Sequence, residues 1–340
     1  MEKEFNITGT CIPDENYMVD ISSKLQQIKA LVDKKRYFTI NRGRQYGKTT
    51  TLTALETYLE DKYIVISLTF EGLGDESFVD AKTFCQAFLK LVNEALDFVD
   101  ITSEERQAWL NESVVDFLGL SRHITNMCKG KKIVLMIDEV NKVSNNRVFL
   151  SFLSILRKKF LARRNRRDET FHSVILAGVY DIKNIKMKMI NEGLHSPTGM
   201  EGQIHNSPWN IAIHFKVDMS FSAKEIESML ADYEKDYLTG MDITQMAEKI
   251  HFYTGGYPIL VSSICKYLDE EVKQWNLAGV EEAVRLLVSE IENPLFRGLS
   301  QNLEGNEKVY KLLYDVLVLG LGRHFSIDNP AIDLAYRYGP

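Results

Sequence analysis

At 340 residues the chain exceeds a typical single domain, so a core domain and at least one smaller one are expected. Its 45% hydrophobic and 26% charged residues suit a protein that buries real cores, and a net charge of −6 argues against coating nucleic acid by bulk charge. Cys11, Cys85, Cys128 and Cys265 are scattered without a C-x-x-C pair, and the seven histidines form no ligand pattern, which points away from a zinc site or a disulfide framework. The charged start MEKEFN does not read as a signal peptide, and no run approaches 18 apolar residues, so a cytoplasmic chain without membrane contact is expected.

Residues 1–19 read as irregular, with Gly9, Pro13 and Asn16 as breakers. From residue 20 to 32, Ile21, Leu25, Ile28, Leu31 and Val32 make a helical stripe. An apolar strand at 37–40 follows, and the chain then runs through Asn41, Arg42, Gly43, Arg44, Gln45, Tyr46, Gly47, Lys48, Thr49 and Thr50 into a helix-compatible stretch reaching Leu59. Strand, Gly-Lys-Thr, helix is the order of a phosphate-binding loop. Backbone N–H groups of such a loop and of the helix start converge on phosphate oxygens. Lys48 supplies a mobile charge for the β- and γ-phosphates, and the Thr49 hydroxyl is placed to ligate Mg²⁺. The loop departs from the usual pattern, with Arg42 where a glycine is common and Gln45 where many such loops have another. A bare Gly-Lys-Ser/Thr arises by chance in roughly one chain of this length in six, so the remaining sequence has to decide.

A buried strand is expected at 63–70, ended by Gly72 and Gly74, then helices at 81–98 and 104–127. Residues 132–137 (KIVLMI) are continuously apolar, as in a strand covered on both faces, and end in Asp138 and Glu139. A carboxylate at that end can hold Mg²⁺ through water, and the following Glu139 can act as catalytic base toward the attacking water. The plain alternative is a strand that merely ends in acidic residues. A helix at 148–161 and a strand at 173–179 complete an alternation that favours parallel crossovers, with ligands at the C-terminal strand ends where both signatures lie. Tyr180 and Asp181 follow the last strand at that same end, where the negative charge of Asp181 would repel phosphate unless metal-bound.

Residues 183–208 are too long for an ordinary connection and read as a functional segment. A short strand is expected at 217–221. Ser222 and Glu225 then form a capping box, a helix at 243–253 ends in Gly255-Gly256-Tyr257-Pro258, and Pro258 opens the next helix. Further helices are expected at 280–291 and 307–319.

Residues 157–167 (RKKFLARRNRR) carry Arg157, Lys158, Lys159, Arg163, Arg164, Arg166 and Arg167. Three readings stay open: a nucleic-acid contact, an arginine finger offered to a neighbouring subunit in a homo-oligomer, or a solvated helix end whose cations favour the macrodipole.

FNITGTCIPDENYMVD, NRGRQYGKTT, IVLMIDE, SVILAGVYD and YTGGYPILV together resemble the AAA-like ATPases of anaerobic bacteria, relatives of STAND and Orc/Cdc6-like P-loop ATPases. The resemblance spans nearly the whole chain and is looser in its C-terminal third. It implies an α/β fold: a P-loop NTPase core with a parallel sheet flanked by helices at 1–220, an all-helical lid at 221–304, and the start of a winged-helix-like segment at 305–340. It also implies ATP and Mg²⁺ as cofactors and a Gly-x-Pro turn, Gly256 to Pro258, that lies near the nucleotide and reports its state. Many relatives look to continue into a PD-(D/E)xK nuclease-like domain, so the ending AIDLAYRYGP suggests a fragment or shortened member. The family tolerates Arg42. The leading expectation is a slowly hydrolysing switch ATPase. The alternatives are a nucleotide-dependent nucleic-acid-binding or sensor module, and a degenerate P-loop scaffold.

Overall fold

The computed structural model describes residues 2–140, 146–178, 209–213, 215–289, 306–322 and 332. Two compact units result, and they do not follow chain order: residues 25–41 with 51–217 form one, and residues 1–24, 42–50 and 218–340 form the other.

The first unit is built on four parallel strands, β1 (Tyr37–Asn41), β2 (Ile64–Thr69), β3 (Ile133–Asp138) and β4 (Ser173–Gly178), in the order β1-β4-β3-β2. Both β3 and β4 are buried along their whole length, which is why their sequences are continuously apolar rather than alternating. On the free side of β1, Ile213 makes a parallel bridge with Phe38, and the Phe215 ring stacks on Phe38 at 5.7 Å. That bridge takes the place of the expected last strand, since residues 217–221 form none. Among the described residues it is a single bridge: the Ile213 amide donates to the Tyr37 carbonyl, and Trp209 donates from its indole N–H to Thr39.

Helix α1 (Ser22–Asp33) precedes β1, and α2 (Lys48–Leu59) follows the loop after it. After β2, α3 (Ala81–Ala95) lays Phe84, Phe88 and Val92 into the core. The run expected as one helix over 104–127 is two, α4 (Ser103–Gln107) and α5 (Phe117–Cys128). Tertiary packing breaks it: the turn between them buries Trp109 against Phe171, and Trp109 gives its carbonyl to His123 Nε2 at 3.0 Å. Asp116 then restarts the helix by accepting the Gly119 N–H. Helix α6 (Arg147–Arg164) contributes Phe149, Phe152 and Leu156. With Phe70, Phe78, Phe84 and Phe88 its two phenylalanine rings form a contiguous aromatic cluster.

In the second unit, α7 (Ala223–Tyr237), α8 (Ile243–Thr254), α9 (Pro258–Tyr267) and α10 (Leu277–Ser289) pack around Ile226, Leu230, Ile250, Val261, Ile264 and Val280. The capping box at Ser222 and Glu225 is formed, and Pro258 occupies the first turn of α9. The N-terminal segment is part of this core. Phe5 sits among Tyr17, Tyr233 and Trp275 at ring distances of 5.0, 5.2 and 6.0 Å. Tyr17 also donates to Asp236 at 2.8 Å. The turn before α9 depends on Gly256, whose φ is +75° and whose absent Cβ would lie 1.9 Å from the Phe221 carbonyl oxygen. The same pair is joined by a 2.7 Å bond from Phe221 N–H to the Gly256 carbonyl. Only glycine meets both conditions. Farther on, α11 (Glu307–Leu317) begins at an Asn306 cap that accepts the Val309 N–H.

Candidate phosphate loop and acidic strand end

The loop leaves β1 at Asn41 and closes on the first turn of α2. Gln45 (φ 60°) and Gly47 (φ 67°) are both left-handed, and such alternations turn successive backbone N–H groups toward one concavity. Nothing lies within 4 Å of a Cβ built at Gly47, so conformation alone calls for glycine there. Gln45 meets the same conformation with a side chain. Arg44, Gln45 and Thr49 are exposed; Arg42, Gly47 and Thr50 are half-buried; Gly43 and Tyr46 are buried.

Lys48 corrects an expectation. The sequence reads it as a mobile charge, yet the residue is 7% exposed and its Nζ donates to the Gly43 carbonyl at 2.7 Å and the Arg42 carbonyl at 3.2 Å. An ammonium carries three donors and no acceptor, so a buried one must find oxygens; the loop's own carbonyls supply them.

Three further contacts tie the loop down within its unit. The Tyr46 ring lies 4.5 Å from that of Tyr257, and the Tyr257 hydroxyl donates to the Arg44 carbonyl at 2.6 Å. Thr50 accepts the Cys11 N–H at 3.3 Å. Sequence reasoning missed the Tyr257 bond, since nothing in a Gly-Gly-Tyr-Pro turn says where the phenol points. Pro258 is buried at the start of α9, next to that tyrosine.

In the sheet unit, Asp138 closes β3, is 7% exposed, and accepts the Glu139 N–H on Oδ1 at 2.8 Å. Glu139 is half-buried with φ 54°. Among the described residues, six non-glycine residues have positive φ. Lys35, Arg166, Leu238 and Lys273 follow helix ends, where a left-handed residue is ordinary. Gln45 and Glu139 do not, and each sits in one of the two nucleotide signatures; strain held off helix ends is the kind that marks functional sites. The β-register sets the distance between the C-terminal ends of β1 and β3. Ile137 pairs with Leu176 and Ile40 with Ala177, so Asp138 lies level with Ile40, two strand spacings away, or roughly 10 Å.

A cleft of about 720 Å³ lined by Glu56, Glu60, Lys62, Tyr63, Phe98 and Lys132 opens at the opposite, N-terminal ends of β2 and β3. Parallel sheets bind ligands at the other end.

The basic run divides. Lys159 is 1% exposed and bonds to Asp168 at 2.8 Å, Thr125 at 2.6 Å and the Ser121 carbonyl at 3.0 Å. Burial pushes the Asp168 carboxyl up, but the Lys159 and Thr125 bonds outweigh this and hold it below its usual range. Arg163 lies over the Tyr37 and Phe160 rings and caps the Phe171, His172 and Lys35 carbonyls. Lys158, Arg164, Arg166 and Arg167 are exposed. Tyr180, Asp181 and residues 183–208 lie outside the described residues, as does half of 305–340.

No group of three or more His, Cys, Asp or Glu residues able to hold a metal is present among the described residues. Mg²⁺ bound with nucleotide needs no such cage, because phosphates and waters fill most of its octahedron and one hydroxyl and one carboxylate suffice. Exposed Thr49 and the Asp138 carboxylate at its strand end have that chemistry. No helix among the described residues is long and apolar enough to cross a membrane.

A parallel sheet in this order, with a phosphate-loop turn after β1 and acidic residues two strands away at the same edge, defines a P-loop NTPase fold of the AAA-like class. The AAA-like domain family model matches residues 15–285, and the chain belongs to that family. Its fold is similar to that of a Walker-type ATPase of Pyrococcus abyssi, with a TM-score of 0.55 and 13% identity over 98% of this chain and 92% of that one. It is also similar to the Aeropyrum pernix ORC2 protein in ADPNP-ADP complexes, with a TM-score of 0.53 and 12% identity over 98% and 82% of the two chains. No curated protein matches by sequence.

Proposed function

We propose that the protein is a Mg²⁺-dependent ATP-binding switch that hydrolyses slowly, of the STAND/AAA-like type. The observation that carries this reading is the coincidence of the two signatures with the two left-handed residues that no helix end explains, Gln45 and Glu139. Lys48 and the loop N–H groups from Arg42 to Thr50 would take the phosphates. Thr49 and Asp138 would hold Mg²⁺, which when bound offsets phosphate charge. Glu139 would take the proton of the attacking water, its backbone turned by the Asp138 bond to its N–H. The helices at 221–304, with Pro258, act as the lid. ATP rather than another nucleotide follows from the family alone.

Labelled ATP binding with and without Mg²⁺, followed by phosphate release, tests the reading. Glu139→Gln should bind as the wild type does and turn over at least ~100-fold more slowly. Equal turnover rates would remove Glu139 as the base; absence of nucleotide binding would remove the reading altogether. The second reading, nucleotide-dependent nucleic-acid binding, has in its favour the exposed cluster of Lys158, Arg164, Arg166 and Arg167.

A further inference from the structure

We infer that Tyr257 is a positioning residue for the phosphate loop, its hydroxyl holding the Arg44–Gln45 peptide in the left-handed turn that a glycine would adopt unaided. The inference deepens the nucleotide-binding reading and rests on it for its functional consequence.

The problem that Tyr257 solves is local. Gln45 adopts φ 60° although it carries a Cβ, and side chains crowd the backbone in that region. Such a residue persists only where its surroundings over-determine it. A planar trans peptide sets C=O and N–H on opposite sides. Fixing the Arg44 oxygen therefore fixes the direction of the Gln45 N–H, which is one of the loop donors. The Tyr257 hydroxyl does this at 2.6 Å.

The hydroxyl is itself rigidly held. Tyr257 is 6% exposed, its ring packs on Tyr46, and its N–H donates to Thr254 at 3.0 Å. Gly256 beside it is wedged against the Phe221 backbone, and Pro258 fixes the other side. Burial and the neighbouring Tyr46 raise the phenol's pKa, so it remains a donor throughout the neutral range. One hydrogen bond thus joins the start of α9 to the loop. Any ligand that reorients the Arg44–Gln45 peptide must act on α9, and any movement of α9 must act on the loop.

Tyr257→Phe removes the bond and keeps the ring. Backbone hydrogen exchange across residues 44–47 without nucleotide, referenced to the amides of α7 and α8 in the same molecule, should accelerate about tenfold. ATP affinity should fall roughly three- to tenfold, as for one lost hydrogen bond. Adding Gln45→Gly should bring the affinity of Tyr257→Phe back to within about twofold of wild type, because glycine needs no support at positive φ; a purely structural role of the tyrosine predicts no such rescue. Unchanged loop exchange in Tyr257→Phe, or an affinity loss that Gln45→Gly leaves in place, overturns the inference. A wild type that binds no nucleotide, with loop exchange still accelerated in Tyr257→Phe, would instead overturn the ATPase reading and leave the positioning role standing.

Discussion

Replacing Lys48 with alanine separates what the lysine does for the loop from what it does for a ligand. Its ammonium makes a short bond to Gly43 and a longer one to Arg42. Hydrogen bonds from charged groups contribute about 1.5–3 kcal/mol each in well-buried settings. The longer bond adds less, and ordering a lysine side chain costs up to ~2 kcal/mol of entropy. The net loss expected for the ligand-free protein is therefore about 1–2 kcal/mol, read by urea denaturation followed by circular dichroism. Saturating ATP and Mg²⁺ should stabilise the wild type by roughly 2.7 kcal/mol at a hundredfold excess over Kd. The variant should gain nothing under the same conditions. An equal ATP-dependent gain in both proteins would refute the assignment of the loop. Unchanged stability without ligand would refute the claim that Lys48 holds the loop closed on itself.

Four other outcomes are expected. Gly256→Ala should cost about 3 kcal/mol, because its Cβ meets backbone at 1.9 Å and φ is +75°; a loss below ~1 kcal/mol in the unfolding of the helical unit would show that the turn can yield. Arg163→Glu should destabilise the sheet unit by about 3 kcal/mol or more, as a half-buried charge among carbonyl oxygens. Arg164→Glu with Arg166→Glu and Arg167→Glu should leave stability unchanged and flatten the salt dependence of nucleic-acid binding; no change in binding removes the second functional reading. Burial first, then the Lys35 and Arg163 charges, lowers the His172 pKa from 6.5 to about 4. The unfolded chain then binds the proton more readily, so this contribution is fully present above pH 6.5 and is lost as pH falls toward 4. With the ring in partial contact with solvent, about 1–2 kcal/mol should disappear across that window, and His172→Gln should flatten the urea-midpoint profile between those pH values.

The strands and the loop were legible because they are local. Residues 133–137 and 174–177 announce buried parallel strands by unbroken apolar sequence, and the Gly47-Lys48-Thr49 turn, the Ser222 capping box and Pro258 each act within a few residues of chain. Family resemblance supplied the expectation of a lid and of ATP with Mg²⁺ as cofactors, which no periodicity could. Tertiary structure decided what depends on partners distant in sequence. Trp109 breaks a helix-compatible run to reach Phe171. Phe5 joins helices that lie more than 220 residues away in the chain. Lys159 and Arg163 leave an apparently uniform basic run for oxygens on other elements. Lys48 turns inward and Tyr257 reaches Arg44 across 213 residues, because a buried polar group takes whichever partner the fold brings within 3 Å, and sequence order does not say which that is.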